Sequence, residues 1–272
     1  MPSIPNLHPE RAVLVTGAAR RLGRTIAVAL AQAGWHVAVH YRGSAAEAAE
    51  TVCACRQFGV EAEAFAADLD DEQACRELVS SVAQRFPGLC ALVNSASRFE
   101  YDDALTVNEA SLRAHWAPNT AAPVLLAQQL HRHWMLRVQV CTDAASREAL
   151  RAAACVVNLL DQKLWNPNPD FFSYTLSKAA LRSATELLAL ALAPWVRVVG
   201  VAPGLTLTSP MLDEAAFERL HRMAPLGRAS TPEDVAATVR FALENRSLTG
   251  THLLVDGGQH LWRFERDFSC MN

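Results

Sequence analysis

The sequence AVLVTGAARRLG, residues 12–23, joins an apolar run to a turn that is flanked by Gly17 and Gly23. Four consecutive apolar residues, Ala12 to Val15, are typical of a short buried strand. The two glycines allow a tight turn and a close approach to another backbone, and a helix is predicted from this turn to about Ala33. A strand that turns directly into a helix is the first unit of a parallel α/β sheet.

The same alternation of short apolar strands and amphipathic helices continues along the chain. Further strands are predicted at residues 35–40, 60–65, 89–93, 154–160, 196–201 and 251–255. Helices are predicted at about residues 44–58, 70–86 and 119–136, and from the region of Tyr174 to near Ala193. This pattern predicts an α/β protein with a Rossmann fold, in which a doubly wound parallel sheet of about seven strands has helices on both faces.

The remaining segments are less regular. Residues 137–151 are predicted to extend the preceding helix, and Ser209 to Met223 suit a mobile flap. Thr231 predicts a helix start, because threonine is a good N-cap and the proline after it is favoured at the first helical position. No linker rich in proline, glycine or serine divides the chain. A single domain over residues 1–272 is therefore predicted, with residues 259–272 as a C-terminal tail.

The composition argues against several classes of function. Apolar residues make up 51% of the 272 residues and the net charge is −3, which does not favour nucleic acid or an anionic membrane as partner. The first residues lack the pattern of a signal peptide, and the most apolar run, Leu187 to Ala193, is too short to span a bilayer. Seven cysteines without regular spacing predict reduced thiols. We therefore expect a soluble, cytoplasmic protein without disulfides or a bound metal.

A group of proton-carrying side chains lies in the segment from Asp161 to Lys178. Tyr174 and Lys178 are four residues apart and share one face of the predicted helix, while Asp161 directly follows a predicted strand. A tyrosine, with an ordinary pKa of about 10, donates a proton well at neutral pH only if its anion is stabilised, and a nearby cation lowers its pKa. The alternative is a core tyrosine beside a surface lysine, with Asp161 only capping a turn.

The turn after the first strand suits the diphosphate of a dinucleotide, because a helix N-terminus attracts negative charge and the two glycines let a ligand approach the backbone. The second predicted strand ends in His40-Tyr-Arg-Gly-Ser44, without the carboxylate that would hold the ribose hydroxyls of NAD. Arg42 and Ser44 instead predict a site for the 2′-phosphate of NADP(H). Arg20 or Arg21 would complete that site, unless these arginines are ordinary surface charges.

With this turn and the Tyr-x-x-x-Lys spacing, the chain resembles the short-chain dehydrogenase/reductase family from about Arg11 to Gly258. The resemblance implies that Asp68 contacts the adenine and that Asn94 shapes the turn beside the cofactor. It also implies that Asn119 holds a water in a proton relay to Lys178, and that Lys178 binds the ribose. The implied cofactor-binding residues are Gly17, Arg20, Arg21, Leu22, Gly23, His40, Tyr41, Arg42, Ser44, Asp68, Leu69, Asn94, Ser95, Ala96, Tyr174, Lys178, Pro203 and Gly204.

Two departures from the commoner family pattern resemble its pteridine reductase branch. Asp161 stands where most members have serine, and Arg21 stands where most have glycine. The segments His40-Tyr-Arg-Gly-Ser-Ala-Ala-Glu47 and Asn94-Ser-Ala-Ser-Arg-Phe99 are also similar to that branch. The resemblance implies that Phe99 stacks on the flat pterin ring, which lies against the nicotinamide. The implied substrate-binding residues are Arg21, Ser97, Phe99, Asp161, Tyr174 and Leu205.

The resemblance also bears on assembly. Members of the family are often tetramers built partly on the tyrosine-bearing helix, so a homotetramer is expected. In the pteridine reductase branch an arginine like Arg263 reaches into a neighbouring subunit's site. The apolar face predicted on the helix fits a subunit interface and simple core packing equally well; it comprises Leu181, Leu187, Leu188 and Leu192.

The change from serine to aspartate has a chemical reason. A carbonyl reductase stabilises a developing alkoxide, which the carboxylate of Asp161 would repel. A pterin receives hydride at a C=N bond, so its ring nitrogen needs a proton, and its amino-pyrimidinone edge offers hydrogen-bond donors to a carboxylate. We therefore expect NADPH-dependent reduction of a dihydropteridine, dihydromonapterin or dihydrofolate. The implied catalytic residues are Asp161, Tyr174, Lys178 and Asn119.

Two other functions fit parts of the same pattern. A carbonyl reductase of the same family, acting on a 3-oxoacyl thioester or a small ketone, would need no pterin site and would tolerate serine in place of Asp161. A non-catalytic regulator that binds NADPH would keep the fold without turnover. Such a regulator would not need both Tyr174 and Lys178.

Overall fold

The computed structural model describes residues 10–208 and 212–271. Within these ranges seven strands form one sheet: β1 (Ala12–Val15), β2 (His36–Tyr41), β3 (Ala62–Ala66), β4 (Leu89–Asn94), β5 (Ala154–Leu159), β6 (Val196–Pro203) and β7 (His252–Val255). The strands are parallel, in the spatial order β3-β2-β1-β4-β5-β6-β7. The predicted fold class is confirmed. The strand order reverses between β1 and β4, and in such sheets ligands bind beyond the carboxyl ends of the strands at this point.

Helices form two layers around the sheet. In the described ranges they are α1 (Arg21–Gln32), α2 (Ala45–Arg56), α3 (Glu72–Arg85), α4 (Glu109–Trp116), α5 (Ala122–Val140), α6 (Ala144–Ala149), α7 (Phe172–Leu192), α8 (Glu214–His221) and α9 (Pro232–Glu244). In one layer α1 packs against α2 and α9, and in the other α5 packs against α3 and α7. Thr231 caps α9 as predicted, because its side chain accepts a hydrogen bond from the N–H of Asp234.

The three central strands are buried along their whole length. Every residue of β1, β4 and β5 is buried, because helices cover both faces of the sheet. Strands of this kind are continuous apolar runs, which is why the sequence predicted them well. Their carboxyl ends form a fixed base for the loops that follow them.

The helix that was predicted to begin at Asn119 begins earlier. Asn108 caps α4, and the helical path continues through a π turn, Ala117–Ala121, into α5. Pro118 lies inside this turn, in which a backbone N–H bonds to the carbonyl five residues back. Proline has no N–H to donate and usually marks a helix start, whereas the wider turn accommodates it here. Asn119 therefore lies within a continuous helical segment.

The segment predicted as a flap is mostly a helix. Residues 209–211 lie outside the described residues, and α8 occupies most of the remainder. Leu212 and Leu220 are buried against Phe264 and Phe268 of the C-terminal tail. The segment therefore packs against a distant part of the chain, which no local pattern in the sequence indicates.

The leucines predicted on one face of α7 are divided between two faces. Leu181 and Leu192 are buried and Leu188 packs against the core, whereas Leu187 is 66% exposed. The single apolar face was therefore a wrong prediction, and the homotetramer remains an untested one.

The longest helices of the described ranges are α5 and α7, and neither these nor the shorter helices could cross a membrane. Where an extension of α5 was predicted, α5 continues to Val140 and a separate short helix, α6, follows it.

A chain of hydrogen bonds between buried polar side chains links the sheet to α7. The Asn94 side chain on β4 donates a hydrogen bond of 2.8 Å to the Asn158 side chain on β5. Asn158 in turn donates one of 2.9 Å to the hydroxyl of Thr185 on α7. All three side chains are buried, so each depends on its partner for hydrogen bonding. This chain fixes the position of α7 relative to the carboxyl ends of β4 and β5.

We expect Asn158→Leu to lower the free energy of unfolding by roughly 2–4 kcal/mol, because the buried Asn94 amide loses its acceptor and the Thr185 hydroxyl keeps only its bond to the Leu181 carbonyl. Equilibrium urea unfolding measures this change. The matched control is Asn158→Leu combined with Thr185→Val, which also removes the hydroxyl that Asn158 contacts. The double variant should be clearly more stable than the sum of the two single changes predicts. Simple additivity would contradict the assigned hydrogen-bond chain.

Candidate active site

A cavity of about 750 Å³ lies beyond the carboxyl ends of the central strands. Tyr41, Ser44, Asn94 and Asn119 were predicted as site residues but do not line it. The predicted residues that do line it are Gly17, Arg20, Arg21, Leu22, Gly23, His40, Arg42, Asp68, Leu69, Ser95, Ala96, Ser97, Phe99, Asp161, Tyr174, Lys178, Pro203, Gly204 and Leu205. The cavity thus brings together nearly all side chains that the sequence indicated.

Several lining residues were missed. They are Asp70, Arg98, Glu100, Pro118, Leu159, Leu160, Gln162, Thr206, Leu207, Leu212, Asp267, Phe268 and Ser269. Most are sequence neighbours of predicted residues, so the motifs themselves could have indicated them. The last three belong to the C-terminal tail, where no strand or helix periodicity predicts a position.

The turn between β1 and α1 has the shape of a diphosphate site. Gly17 has a φ of +64°, and a Cβ on it would lie 2.9 Å from the Cα of Ala96. A Cβ on Gly23 would lie 2.3 Å from the carbonyl oxygen of Gly17. No side chain caps α1, which leaves the N–H groups of its first turn available to an anion. These residues fit the diphosphate of a dinucleotide.

The His40 side chain supports this turn through hydrogen bonds. The Gly17 N–H donates to its Nδ1 at 3.1 Å, and its Nε2 donates to the carbonyl of Ala67 at 3.1 Å. This arrangement requires the neutral imidazole with the proton on Nε2. Burial lowers the pKa of His40 from 6.5 to about 4, although the Ala67 bond and the charge of Asp68 oppose this shift. His40 therefore supports the turn as a neutral group.

Arg20, in the turn after β1, and Arg42, directly after β2, both line the cavity and are largely exposed. Arg20 donates a hydrogen bond to Ser44, which does not itself line the cavity. Arg42 is 61% exposed, and its guanidinium lies 3.9 Å from the carboxylate of Asp68 and 3.6 Å from that of Asp70. Exposed ion pairs contribute little stability. A bound phosphate would compete with these carboxylates for Arg42 at small cost.

Arg21 points away from this group. Its guanidinium donates a hydrogen bond of 2.7 Å to the carbonyl of Thr208. Its φ of +53° lies in the left-handed region, which is strained for a residue other than glycine. Of the two arginines that were considered for the 2′-phosphate, Arg20 is therefore the one that the structure places beside Ser44.

Asp161 and Tyr174 line the cavity and contact each other. The Tyr174 hydroxyl donates a hydrogen bond of 2.8 Å to Oδ2 of Asp161. Burial raises the pKa of Asp161, an effect opposed by hydrogen bonds from the Lys163 N–H and the Tyr174 hydroxyl. Burial and the charge of Asp161 together raise the pKa of Tyr174 well above 10. The proton between the two oxygens therefore belongs to a coupled pair.

Lys178 does not stabilise the Tyr174 anion in the way predicted. Its Nζ donates a hydrogen bond of 2.7 Å to the carbonyl of Leu159, and lies 5.9 Å from the centre of the Tyr174 ring. Burial lowers the pKa of Lys178 to about 8, with the charge of Asp161 opposing the shift. The prediction that Lys178 lowers the tyrosine pKa was wrong for this arrangement, because the carboxylate beside the phenol dominates.

Asn119 organises the loop after β4. Its Oδ1 accepts hydrogen bonds of 3.1 Å from the Ser97 hydroxyl and 2.8 Å from the Arg98 N–H. Its Nδ2 donates to the Arg98 carbonyl at 2.9 Å and to the Ser177 hydroxyl at 3.0 Å. The side chain thus contacts Ser97 and α7, and its predicted water relay to Lys178 remains a prediction.

The loop after β4 adds an aromatic wall. The Phe99 ring stacks on the Phe171 ring, with centroids 4.0 Å apart and an angle of 14° between the planes. Phe99 also meets the Tyr174 ring edge to face at 4.7 Å. Phe99 is 38% exposed and lines the cavity. This wall lies directly beside the Asp161–Tyr174 pair.

Arg263 lies outside this cavity. It lines a separate surface groove together with Met223, Trp262 and Phe264 of the same chain. Its suggested role in a neighbouring subunit remains a prediction.

The chain as a whole is similar to known reductases. A family model described as Enoyl-(Acyl carrier protein) reductase matches residues 17–260. The chain is similar to the granaticin polyketide synthase putative ketoacyl reductase 2 of Streptomyces violaceoruber, with 32% identity over 259 residues, 93% of this chain and 98% of the relative. It is 28% identical over 269 residues to the 3-oxoacyl-(acyl-carrier-protein) reductase FabG of Staphylococcus aureus, covering 92% of this chain and 98% of the relative.

A solved structure is more similar in sequence than these relatives. It is FolM Alternative dihydrofolate reductase 1 from Brucella canis, complexed with NADP. The identity is 38% and the TM-score 0.82, and the alignment covers 94% of this chain and 97% of that chain.

The pKa of His40 predicts a loss of stability in mild acid. A histidine with an ordinary pKa of 6.5 and a folded pKa of about 4 stabilises the fold fully above pH 6.5, and this contribution is lost as the pH falls towards 4. We expect the loss to reach about 3 kcal/mol. Urea unfolding at half-unit pH steps measures it.

The control for this prediction is His40→Asn, which can accept the Gly17 hydrogen bond and does not titrate. At pH 7 the variant should be roughly 1–3 kcal/mol less stable, since the Ala67 carbonyl loses its partner. Its stability should fall less steeply than that of the unmutated protein between pH 6.5 and 4. Parallel stability curves for the two proteins would contradict the assigned tautomer.

Proposed function

Because the chain belongs to the short-chain dehydrogenase/reductase family, we propose that it reduces a pterin-type substrate with NADPH. The substrate would be a dihydropteridine, dihydromonapterin or dihydrofolate. The observation that carries this proposal is the carboxylate of Asp161 hydrogen-bonded to Tyr174 in the cavity. The similarity to a solved FolM alternative dihydrofolate reductase supports it.

The proposed cofactor site uses the turn after β1 and the end of β2. Gly17, Gly23 and the first turn of α1 would hold the diphosphate, and His40 would keep that turn in place. Arg20 and Arg42 would bind the 2′-phosphate. The cofactor, when bound, supplies the hydride for the reduction.

The proposed proton delivery uses the coupled pair. Hydride addition to the carbon of a C=N bond leaves the ring nitrogen in need of a proton. The pair of Asp161 and Tyr174 would deliver it and be reprotonated from solvent. Asp161 would also accept hydrogen bonds from the amino-pyrimidinone edge of the ring, which orients the substrate. Lys178 would bind the ribose in its protonated form, because its pKa of about 8 keeps it largely charged at neutral pH.

The aromatic wall supports a flat substrate. Phe99 lines the cavity beside Tyr174, so a ring laid against it would lie within reach of Asp161. Ser97, Arg21 and Leu205 also line the cavity and would contact the substrate. A planar heterocycle with an amide-like edge meets both the apolar and the polar parts of such a site.

A carbonyl reductase is the second candidate, because two similar relatives are a putative ketoacyl reductase and a 3-oxoacyl-(acyl-carrier-protein) reductase. It would require an uncharged donor near the developing alkoxide, and Asp161 at neutral pH is a poor one unless protonated. A non-catalytic regulator is disfavoured by the presence of both Tyr174 and Lys178 in the cavity.

The first test compares substrates directly. We expect purified protein to oxidise NADPH with dihydrobiopterin or dihydromonapterin, and to do so slowly with a 3-oxoacyl thioester. Asp161→Ala should lower kcat for the pterin by about 100-fold or more, because orientation and proton delivery are both lost. The affinity for NADPH, measured by fluorescence titration, should remain within about twofold, since Asp161 lies outside the diphosphate and 2′-phosphate sites.

Two outcomes would oppose this proposal. Turnover of the thioester alone would favour the carbonyl reductase. Near-normal pterin turnover by Asp161→Ala would remove the role of the carboxylate. Asp161→Ser distinguishes the candidates further, because a carbonyl reductase should retain or gain thioester turnover with a hydroxyl at this position.

The cofactor preference has its own test. The unmutated protein should use NADPH better than NADH, and Arg42→Asp should weaken that preference by roughly tenfold or more, since an arginine that binds phosphate is replaced by a repelling charge. The ratio of kcat/KM for the two cofactors measures the change. Arg113→Asp, which alters an exposed arginine on α4, is the matched control and should leave the ratio unchanged. Equal use of both cofactors by the unmutated protein would contradict the assignment of Arg42.

A further inference from the structure

The C-terminal tail forms one wall of the cavity. Asp267, Phe268 and Ser269 line the cavity that also contains Asp161. Phe264 and Phe268 are buried against α8, which anchors the tail beside the site. The tail therefore belongs to the same site as the end of β5, although about a hundred residues separate the two in the chain.

A buried lysine connects this wall to the loop that carries Asp161. The side chain of Lys163 is 3% exposed, and its Nζ lies 3.1 Å from the Asp267 carboxylate. The same Nζ donates a hydrogen bond to the carbonyl of Asp170 and lies 5.4 Å from the centre of the Phe171 ring. Lys163 thus contacts the tail and the end of the loop at once.

A second ion pair holds the same two segments together. The Arg266 guanidinium donates hydrogen bonds of 2.8 and 3.1 Å to the two oxygens of the Asp170 carboxylate. The N–H of Asp267 donates to the same carboxylate at 2.8 Å. The tail is therefore held to the loop even without the contact between Lys163 and Asp267.

The charges around Asp161 come from three parts of the chain. Its Oδ1 accepts a hydrogen bond of 2.9 Å from the Lys163 N–H, and its Oδ2 accepts the one from Tyr174. Tyr174 and Lys178 line the same cavity from α7 and Asp267 lines it from the tail, while the Lys163 side chain pairs with Asp267. Lys163 and Asp267, which pair with each other, act on Asp161 in opposite directions: the charge of Asp267 raises the pKa of Asp161 and that of Lys163 lowers it.

Stability alone does not explain a buried ion pair in this place. Well-packed apolar side chains of similar volume often stabilise a fold as well as a buried ion pair does, because the pair must be removed from water. The second ion pair and the buried phenylalanines already anchor the tail. The ion pair between Lys163 and Asp267 is therefore better explained by a role in the adjacent cavity.

We propose that Lys163 and Asp267 are positioning residues of the active site, which hold the Asp161 loop against the tail and balance the charge behind the Asp161 carboxylate. The proposal deepens the proposed function, on which it rests for the role of Asp161. Lys163 favours the ionised carboxylate, whereas Asp267 opposes it. Removing one charge at a time should therefore move the titration of Asp161 in opposite directions.

The test measures that titration directly. Aspartate labelled with ¹³C in the carboxyl group is followed by NMR from pH 3 to 9, and Asp161→Asn identifies the Asp161 signal. We expect Lys163→Met to raise the titration midpoint and Asp267→Asn to lower it, each by roughly half a pH unit or more. The double variant should lie between the two. A shift in the same direction for both variants, or no shift, would overturn the proposal.

A matched control separates charge from anchoring. Arg266→Met loosens the tail through the other ion pair and leaves both Lys163 and Asp267 in place. It should lower the melting temperature but leave the Asp161 midpoint within about 0.2 pH unit of the unmutated protein. A shift equal to that of Asp267→Asn would mean that tail loosening, rather than the ion pair, controls Asp161. If Lys163→Met does not fold, Asp267→Asn and this control still decide the question.

The kinetic readout links the pair to the reaction. With a pterin that is turned over, the acidic limb of the pH profile of kcat should move in the same direction as the NMR midpoint in each variant. Displaced NMR midpoints without pterin turnover would count against the proposed function and leave the positioning role intact. Normal pterin turnover with unmoved midpoints would support the proposed function and overturn the positioning role.

Discussion

The hydrogen bond of 2.8 Å between the Tyr174 hydroxyl and the Asp161 carboxylate constrains everything around the cavity. It joins the end of β5 to α7, with Tyr174 buried and Asp161 partly buried, and at this distance neither group can change charge without affecting the other. Such a pair needs a rigid frame. The central strands provide the base, the amide of Asn158 ties β5 to α7, and Asn119 fixes the loop after β4 on the same helix.

The sequence was sufficient to predict the repeated strand and helix units and the features that depend on short-range geometry. The strand, turn and helix of residues 12–23 recur along the chain, and strands that are covered on both faces are continuous apolar runs. Asp161 and Tyr174 were identified for a related reason. The end of a strand and one turn of a helix are short-range geometry, so their side chains could be placed near one cavity before any tertiary contact was known.

The remaining features depend on contacts that no local pattern encodes. Lys163 and Asp267 are 104 positions apart, and their pairing follows from how the tail packs on α8. The pKa of Tyr174 was predicted in the wrong direction for a similar reason. Spacing placed Lys178 on the correct face of the helix, but its ammonium bonds to the Leu159 carbonyl while the phenol meets a carboxylate. The π turn was not predicted, because a proline such as Pro118 usually marks the start of a helix.

Because the tail is synthesised last, the two ends of the cavity are completed at different times during synthesis. A chain emerges from the ribosome with its N-terminal end first. The turn after β1, the end of β2 and Gly204 all precede the wall that residues 267–269 contribute. The end of the cavity that these residues line can therefore form on a growing chain before the tail closes the other end. On this order of events, the proposed cofactor site would be complete before the proposed substrate site.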